Sequence, residues 1–286
     1  MYSNFCYKWK INGDCITREN FSNTTERKPY IFTYWDNVYY KTMPSFIKLC
    51  IDSMYKHCKD NFNIVVLDKD KIKQYITIND IIQKKLNKLK IYHKTDYYRF
   101  MLLQKYGGIW LDADTLVMRN LQPIINKLIK YDFIGFGCTG NICKNGRYVP
   151  SNGVLASKKN GIIISKIAQL ANEKIMNHFD QRDDYYFLGK YLIWKILKSN
   201  KKYDKIYYHY DSSFSGCRDN EGKWITPNRQ LLNHKINLLN ENNLLFVFLY
   251  NSNYRKIISG KFIKMTEKDI MKSDLWICKM YQKSFS

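Results

Sequence analysis

Long apolar runs are missing from this 286-residue chain; the longest, residues 244–250, falls far short of the roughly 20 residues that a membrane span needs. Residues 1–10 are mixed and aromatic, without the apolar centre of a secretory leader, so a cytoplasmic protein is expected, with peripheral membrane contact as the alternative. No CxxC pair occurs among the eight cysteines, at 6, 15, 50, 58, 138, 143, 217 and 278. Cys138 and Cys143 are too isolated to build a zinc site without distant partners, so reduced structural thiols are expected. The sequons at Asn20 and Asn23 then carry little meaning. Internal repeats, low-complexity tracts and linkers are also lacking.

Acidic residues are scarce: 25 against 47 Lys and Arg, a net charge of +22. Such an excess would attract nucleic acid, anionic lipid or an acidic glycan. The lysines are scattered and not blocked, however, as in a Lys-, Asn-, Ile- and Tyr-heavy chain with a solvated surface, and nucleic acid is not the expected partner. What the chain does have is 45% hydrophobic and 16% aromatic residues, enough for a sizeable core.

The organising stretch is residues 93–118, HKTDYYRFMLLQKYGGIWLDADTLVM. It reads as a helix capped by Thr95, with Asp96 in its first turn, stopped at Gly107-Gly108. A short buried strand, Ile109-Trp110-Leu111, then delivers Asp112 and Asp114. In extended backbone, alternate residues point the same way, so the two carboxylates converge. Such a pair repels unless a proton or cation lies between, and its oxygens suit Mg2+ or Mn2+. Asp96 and Arg99, three apart, share a helix face; an intrahelical ion pair worth about 0.3–0.5 kcal/mol is the plain alternative to a binding role.

The segment Thr95-Asp96-Tyr97-Tyr98-Arg99, the run Gly107-Gly108-Ile109-Trp110-Leu111-Asp112 and the triplet Asp112-Ala113-Asp114 resemble glycosyltransferases of the GT-A type. They are most similar to the capsular polysaccharide synthesis family and its relatives in glycosyltransferase family 32. There the pattern is S/A-D-x-x-R, a spacer, then G-G-x-Y/W-x-D-x-D; Thr95 departs from it mildly. The resemblance implies an α/β fold of the GT-A kind, a Rossmann-like, mostly parallel central sheet flanked by helices in a single catalytic domain. That domain would be residues 30–286, including a basic C-terminal helix over 267–281, after an irregular extension of residues 1–29.

The resemblance also implies roles. A UDP- or GDP-sugar is the expected donor, Mn2+ or Mg2+ the cofactor, and a glycan, lipid-linked or protein molecule the acceptor. Asp112 and Asp114 would hold the metal, or Asp114 the metal and Asp112 the ribose or sugar hydroxyls. Asp96 and Arg99 would grip the donor sugar. Trp35, closing the strand of residues 30–35, would lie against the base, or else pack at a strand end. Asn152, in the bend Ser151-Asn152-Gly153, would meet a sugar hydroxyl or shape the bend. Asp184 would act near the donor sugar and acceptor, and also start a helix over 185–197. His209 and His234 are candidates to complete the metal shell; a lone histidine is more often structural. Residues 198–243 read as loop-rich, and within them the turn-rich stretch 209–224 reads as a flap over the site on the acceptor side.

The implied activity is metal-dependent transfer from a nucleotide-diphosphate sugar, with retention of anomeric configuration. No residue is marked as a nucleophile. A metal-dependent nucleic-acid-processing enzyme or an inactive glycan-binding module on the same fold are the alternatives. Metal-linked affinity for a nucleoside diphosphate separates the three.

Overall fold

The computed structural model describes residues 10–11, 14–15, 28–137, 150–184, 187–210 and 212–286. Near the N-terminus, β1 (Lys10–Ile11) and β2 (Asp14–Cys15) form a short antiparallel ladder. The chain then runs β3 (Tyr30–Tyr34), α1 (Ser45–Cys58), β4 (Asn63–Leu67), α2 (Ile72–Tyr75), α3 (Asp80–Asn87), α4 (Ile91–Tyr106), β5 (Gly108–Leu111) and β6 (Thr115–Val117). After it come α5 (Gln122–Lys130), β7 (Phe133–Phe136), β8 (Ser151–Ser157), α6 (Ile162–Asn177), α7 (Lys190–Ser199) and β9 (Tyr207–Tyr210). The last part holds α8 (Pro227–Leu232), β10 (Phe246–Phe248), α9 (Asn251–Tyr254), α10 (Glu267–Lys272) and α11 (Trp276–Phe285).

The central sheet has six strands in the order β4-β3-β5-β8-β7-β9. Three of its neighbour pairs are parallel, β3–β4, β3–β5 and β7–β9, and β8 runs antiparallel to both β5 and β7. The expected α/β architecture, helices flanking a mostly parallel sheet, is present. The residues dictate both faces. Phe32, Trp110 and Leu155 point into a cluster with Phe100, Ile163 and Ile167 of α4 and α6. Their strand neighbours Ile31, Ile109 and Ala156 face a second cluster with Met54 of α1 and Ile124 of α5. Alternation along a strand sends successive side chains to opposite faces, so a sheet covered on both sides needs apolar residues at every position.

Gly107 and Gly108 stop α4 as expected, with φ of 70° and 92°. They do more than cap. A Cβ on Gly108 would lie 2.3 Å from the carbonyl oxygen of Tyr30, so only glycine lets β5 lie so close to β3 here.

Several boundaries differ from the sequence reading. The helix expected over 79–91 ends at Asn87, N-capped by Asn79, and Ile91 already opens α4. Thr95 is therefore inside the helix and not its cap; its hydroxyl donates to Tyr92 O at 2.9 Å, the usual outlet for a mid-helix threonine. Asp96 consequently sits mid-helix, away from the positive first turn. The helix expected over 185–197 begins only at Lys190, because Gly189, with φ 70°, breaks the path, so Asp184 does not start it. The stretch 209–224, expected as a flap, begins in β9, an edge strand of the main sheet, and none of its described residues lines the cavity described below. The helix expected over 267–281 is two, α10 and α11, and the apolar side of α11 is buried in the core through Trp276, Ile277, Met280 and Tyr281. Among the described residues no helix is long and apolar enough to cross a membrane, and Cys50, Cys58, Cys217 and Cys278 are buried free thiols.

Candidate active site

The carboxyl ends of β3 and β5 open onto a cavity of about 600 Å³. Open α/β sheets bind ligands at this end of their strands. Asp112 is the first residue beyond β5. Its N–H donates to Gly153 O at 2.8 Å, which pins the strand's end to β8. Its Oδ1 accepts from Trp110 Nε1 and from Arg99 Nη2, both at 2.8 Å. Arg99 is 3% exposed. Its Nη1 donates to Asn152 O at 2.6 Å and pairs with Asp96 Oδ1 at 3.1 Å, and the guanidinium lies 5.1 Å from the Trp110 ring centroid. The Asn152 side-chain N–H donates to the same Asp96 oxygen at 2.7 Å.

The result is a closed network in which one guanidinium fork joins two carboxylates and a bulged backbone. Planar, always-charged Arg fits this geometry and Lys does not. The bend expected at residues 151–153 is that bulge: the β7–β8 register shifts between Gly135 and Phe136. Asn152 both shapes it and orients Asp96.

Asp112 and Asp114 converge, though not through extended backbone. Ala113 and Asp114 form a turn closed by Thr115 N–H to Asp112 O at 3.0 Å. Asp114 Oδ2 accepts from the backbone N–H of Asn251 at 3.1 Å, and its carbonyl accepts from Leu249 N. Burial, then the like charge of Asp112, pushes the Asp114 carboxyl up to about 7. Burial raises Asp112 too, and takes Asp96 to about 6 against the pull of Arg99. Carboxyls held above their usual range in this way favour a proton or a cation between them. Two carboxylates are the donor set that Mg2+ or Mn2+ takes when phosphate oxygens supply the rest of its shell, so these residues fit such a cation. Among the described residues, no group of three or more His, Cys, Asp or Glu is arranged to hold a metal alone.

Trp35 lies on the cavity wall, stacked on Tyr40 with centroids 5.9 Å apart and its indole N–H donating to Asn37 Oδ1 at 2.7 Å. Trp35, Asp96, Arg99, Asp112, Asp114 and Asn152 thus line one space. Asp184 does not join them: it is exposed, in the turn that follows residues 179–181. Nor does His209. It sits on β9, three strand spacings from β5, about 14 Å at the usual spacing, with Nδ1 2.7 Å from the Tyr207 hydroxyl. His234 is exposed beside Asp274 at 2.9 Å.

The sequence offered no signal for several cavity residues. Gly189 is one: a Cβ there would meet Asp96 Oδ2 at 2.6 Å and Asn152 Nδ2 at 2.9 Å, so its bare backbone forms the cavity floor beside the network. Lys190 follows, its ammonium pKa lowered by burial. Asn251 and Arg255 come from the far end of the chain, with the Arg255 guanidinium 4.1 Å from the Tyr39 ring centroid. Lysines and asparagines are so common here that neither type stands out in the text.

The sequence matches the capsular polysaccharide synthesis protein family over residues 8–215. No curated protein matches it. Among solved structures, the galactosyltransferase LgtC in complex with donor and acceptor sugar analogues is 13% identical, with 89% of this chain and 94% of that one covered and a TM-score of 0.47. The glycosyltransferase GlyE of Streptococcus pneumoniae is 11% identical over 91% of this chain and 61% of that one, with a TM-score of 0.47. The PaToxG glycosyltransferase is 16% identical over 60% and 69%, with a TM-score of 0.43. Likenesses this distant do not bear on activity.

Proposed function

The chain belongs to the capsular polysaccharide synthesis protein family, and on that premise we propose that it is a glycosyltransferase of the GT-A type, moving a sugar from a nucleotide-diphosphate donor to a glycan acceptor. The observation that carries the reading is the Asp96–Arg99–Asp112–Asn152 network beside Asp114, five polar groups converging on one cavity at a strand end. The cavity volume suits a nucleotide sugar. The intact network argues against an inactive binding module.

In the reaction, the bond from the anomeric carbon to the phosphate oxygen breaks and the diphosphate leaves with the electron pair. The acceptor hydroxyl forms the new bond to the anomeric carbon and passes its proton to an oxygen of the departing diphosphate. Asp112 and Asp114 would hold a divalent cation, which when bound would supply Lewis-acid neutralisation of the diphosphate. The chain's own residues hold and orient the substrate. Trp35 offers an aromatic face to the base, and Tyr40 backs it. Asp96 accepts from hydroxyls of the donor sugar while Arg99 and Asn152 fix its carboxylate. Asp112, clamped by Trp110 and Arg99, presents its second oxygen to the cavity and cannot swing away. Prepaid orientation of this kind removes much of the entropic barrier. Retention of configuration is part of the proposal, and the anomeric proton signal of the first-formed product tests it. Asp184 lies outside the cavity lining, so this reading gives it no role at the donor site.

The deciding experiment is a thermal-shift and calorimetric screen of UDP-, GDP- and CMP-sugars with and without Mn2+. A ligand at 100 times its Kd raises stability by about 2.7 kcal/mol. The proposal requires at least one nucleotide that binds more tightly with Mn2+; affinity that ignores the metal, or none at all, would sink it.

A further inference from the structure

Trp35 and Asp114 sit on different elements, 79 positions apart, yet a short chain of contacts joins them across the cavity mouth. Tyr40 stacks on Trp35 with an interplanar angle of 22°. The Tyr40 hydroxyl donates to Asn251 Oδ1 at 2.7 Å. Asn251, the first residue of α9, donates its backbone N–H to Asp114 Oδ2 at 3.1 Å. Beside this chain, Arg255 lies over the Tyr39 ring at 4.1 Å, so two consecutive tyrosines of the β3–α1 segment grip α9 and the residue after it. Nothing else in the segment 37–43 is regular secondary structure, and residues 37–39 are exposed. Its position therefore depends on these side-chain contacts. In sequence the two sides of the clasp are 211 residues apart.

We propose that Tyr40 and Asn251 are positioning residues that couple the aromatic base platform to the metal-binding carboxylate, so that nucleoside and divalent cation each favour the other's binding. The proposal rests on the function proposed above. A cation on Asp114 holds that carboxylate in one orientation. Asn251 N–H then keeps its partner, α9 stays seated, and the Tyr40 hydroxyl keeps its acceptor on α9. A base stacked on Trp35 works the same chain in reverse, as reciprocity between coupled sites demands. Neither tyrosine needs to touch the reacting atoms. The hydroxyl is the link, because its removal spares the stacking and breaks only the step from ring to α9.

Two arms test this, and they fail separately. The first needs no ligand. Hydrogen exchange of residues 36–43 is followed in the unliganded wild type, Asp114→Ala, Tyr40→Phe and the double variant. Asp114→Ala should speed exchange in this segment, which is tied to Asp114 through Asn251, and should add little once Tyr40→Phe is present. Unchanged exchange in Asp114→Ala, or fully additive effects, overturns the coupling. The second arm measures binding of Mn2+, uridine or guanosine, and UDP or GDP to wild type and Tyr40→Phe. The affinity gain that Mn2+ confers on the diphosphate should shrink about two- to tenfold, the worth of one hydrogen bond. Affinities for Mn2+ alone and for the free nucleoside should hold. Loss of nucleoside affinity to the same extent would make Tyr40 a plain structural support and overturn the proposal. If the wild type binds no nucleotide, the transferase reading fails, while the exchange arm still decides whether the clasp couples its two ends.

Discussion

Arg99→Met should be among the most damaging single changes in this protein. The substitution keeps much of the side chain's volume and removes a cation that is 3% exposed. It deletes a 2.6 Å bond to Asn152 O, a 2.8 Å bond to Asp112 and a 3.1 Å pairing with Asp96. Breaking a buried pair by removing one partner costs about 3–5 kcal/mol, because the other charge stays buried and uncompensated. At about 2–4 °C per kcal/mol for domains of this order of size, Tm should fall by about 6–20 °C. The loss must depend on pH. Without the guanidinium, which pulls Asp96 down, that carboxyl rises further above its present value of about 6. A carboxyl whose folded pKa lies above its unfolded one takes up a proton on folding, so stability falls as pH rises from about 4 through the folded pKa. Arg99→Met should therefore cost less at pH 5, where Asp96 is neutral, than at pH 8. Asp96→Asn removes one of the stranded charges, so the double variant should be more stable than the sum of the singles by about 1–3 kcal/mol. Urea unfolding of the four proteins at both pH values measures all of this. A cost below about 1 kcal/mol, or additive losses equal at pH 5 and pH 8, would refute the view of Arg99 as the centre of the network. Arg99→Lys keeps the charge but not the fork, and should fall between the two.

Asp114→Asn should leave Tm within a few degrees, since it relieves a repulsion, yet abolish turnover and the Mn2+ dependence of nucleotide binding; calorimetry with UDP or GDP checks both. In the ligand-free protein, Tm should decline as pH rises from about 4 to about 7, the window set by Asp96 at about 6 and Asp114 at about 7. Asp96→Asn should flatten the lower part of that decline in a calorimetric pH series. Gly189→Ala forces a side chain into a φ of 70° and onto Asp96, a strain of about 1–3 kcal/mol. It should lower Tm and weaken binding of the sugar donor more than binding of the free nucleoside diphosphate. Finally, if the +22 charge steers an anionic glycan or lipid-linked acceptor, acceptor KM should climb steeply with salt while donor KM changes little. Parallel shallow slopes would leave the charge without a catalytic role.

Local physics made much of the protein legible in its sequence. Runs of β-branched and aromatic residues at 30–34 and of apolar residues at 109–111 specify strands buried on both faces, and the Gly107-Gly108 pair specifies a stop that only glycine can make. The spacing of Asp96 to Arg99 and of Asp112 to Asp114 is local too, so the core of the site could be named from the text. Three-dimensional contacts decided the rest. Asp184 and His209 are candidates on residue type alone, and the packed chain, with β9 at the sheet edge, leaves both outside the cavity lining. Asn152 looked like a bend residue and is also the partner of Asp96. Tyr40 and Asn251 carry no signal at all, because a hydrogen bond across 211 residues leaves no period, spacing or composition behind. Periodicity reports which face of an element is buried; only the packed chain determines which buried faces meet, and the site lies where they do.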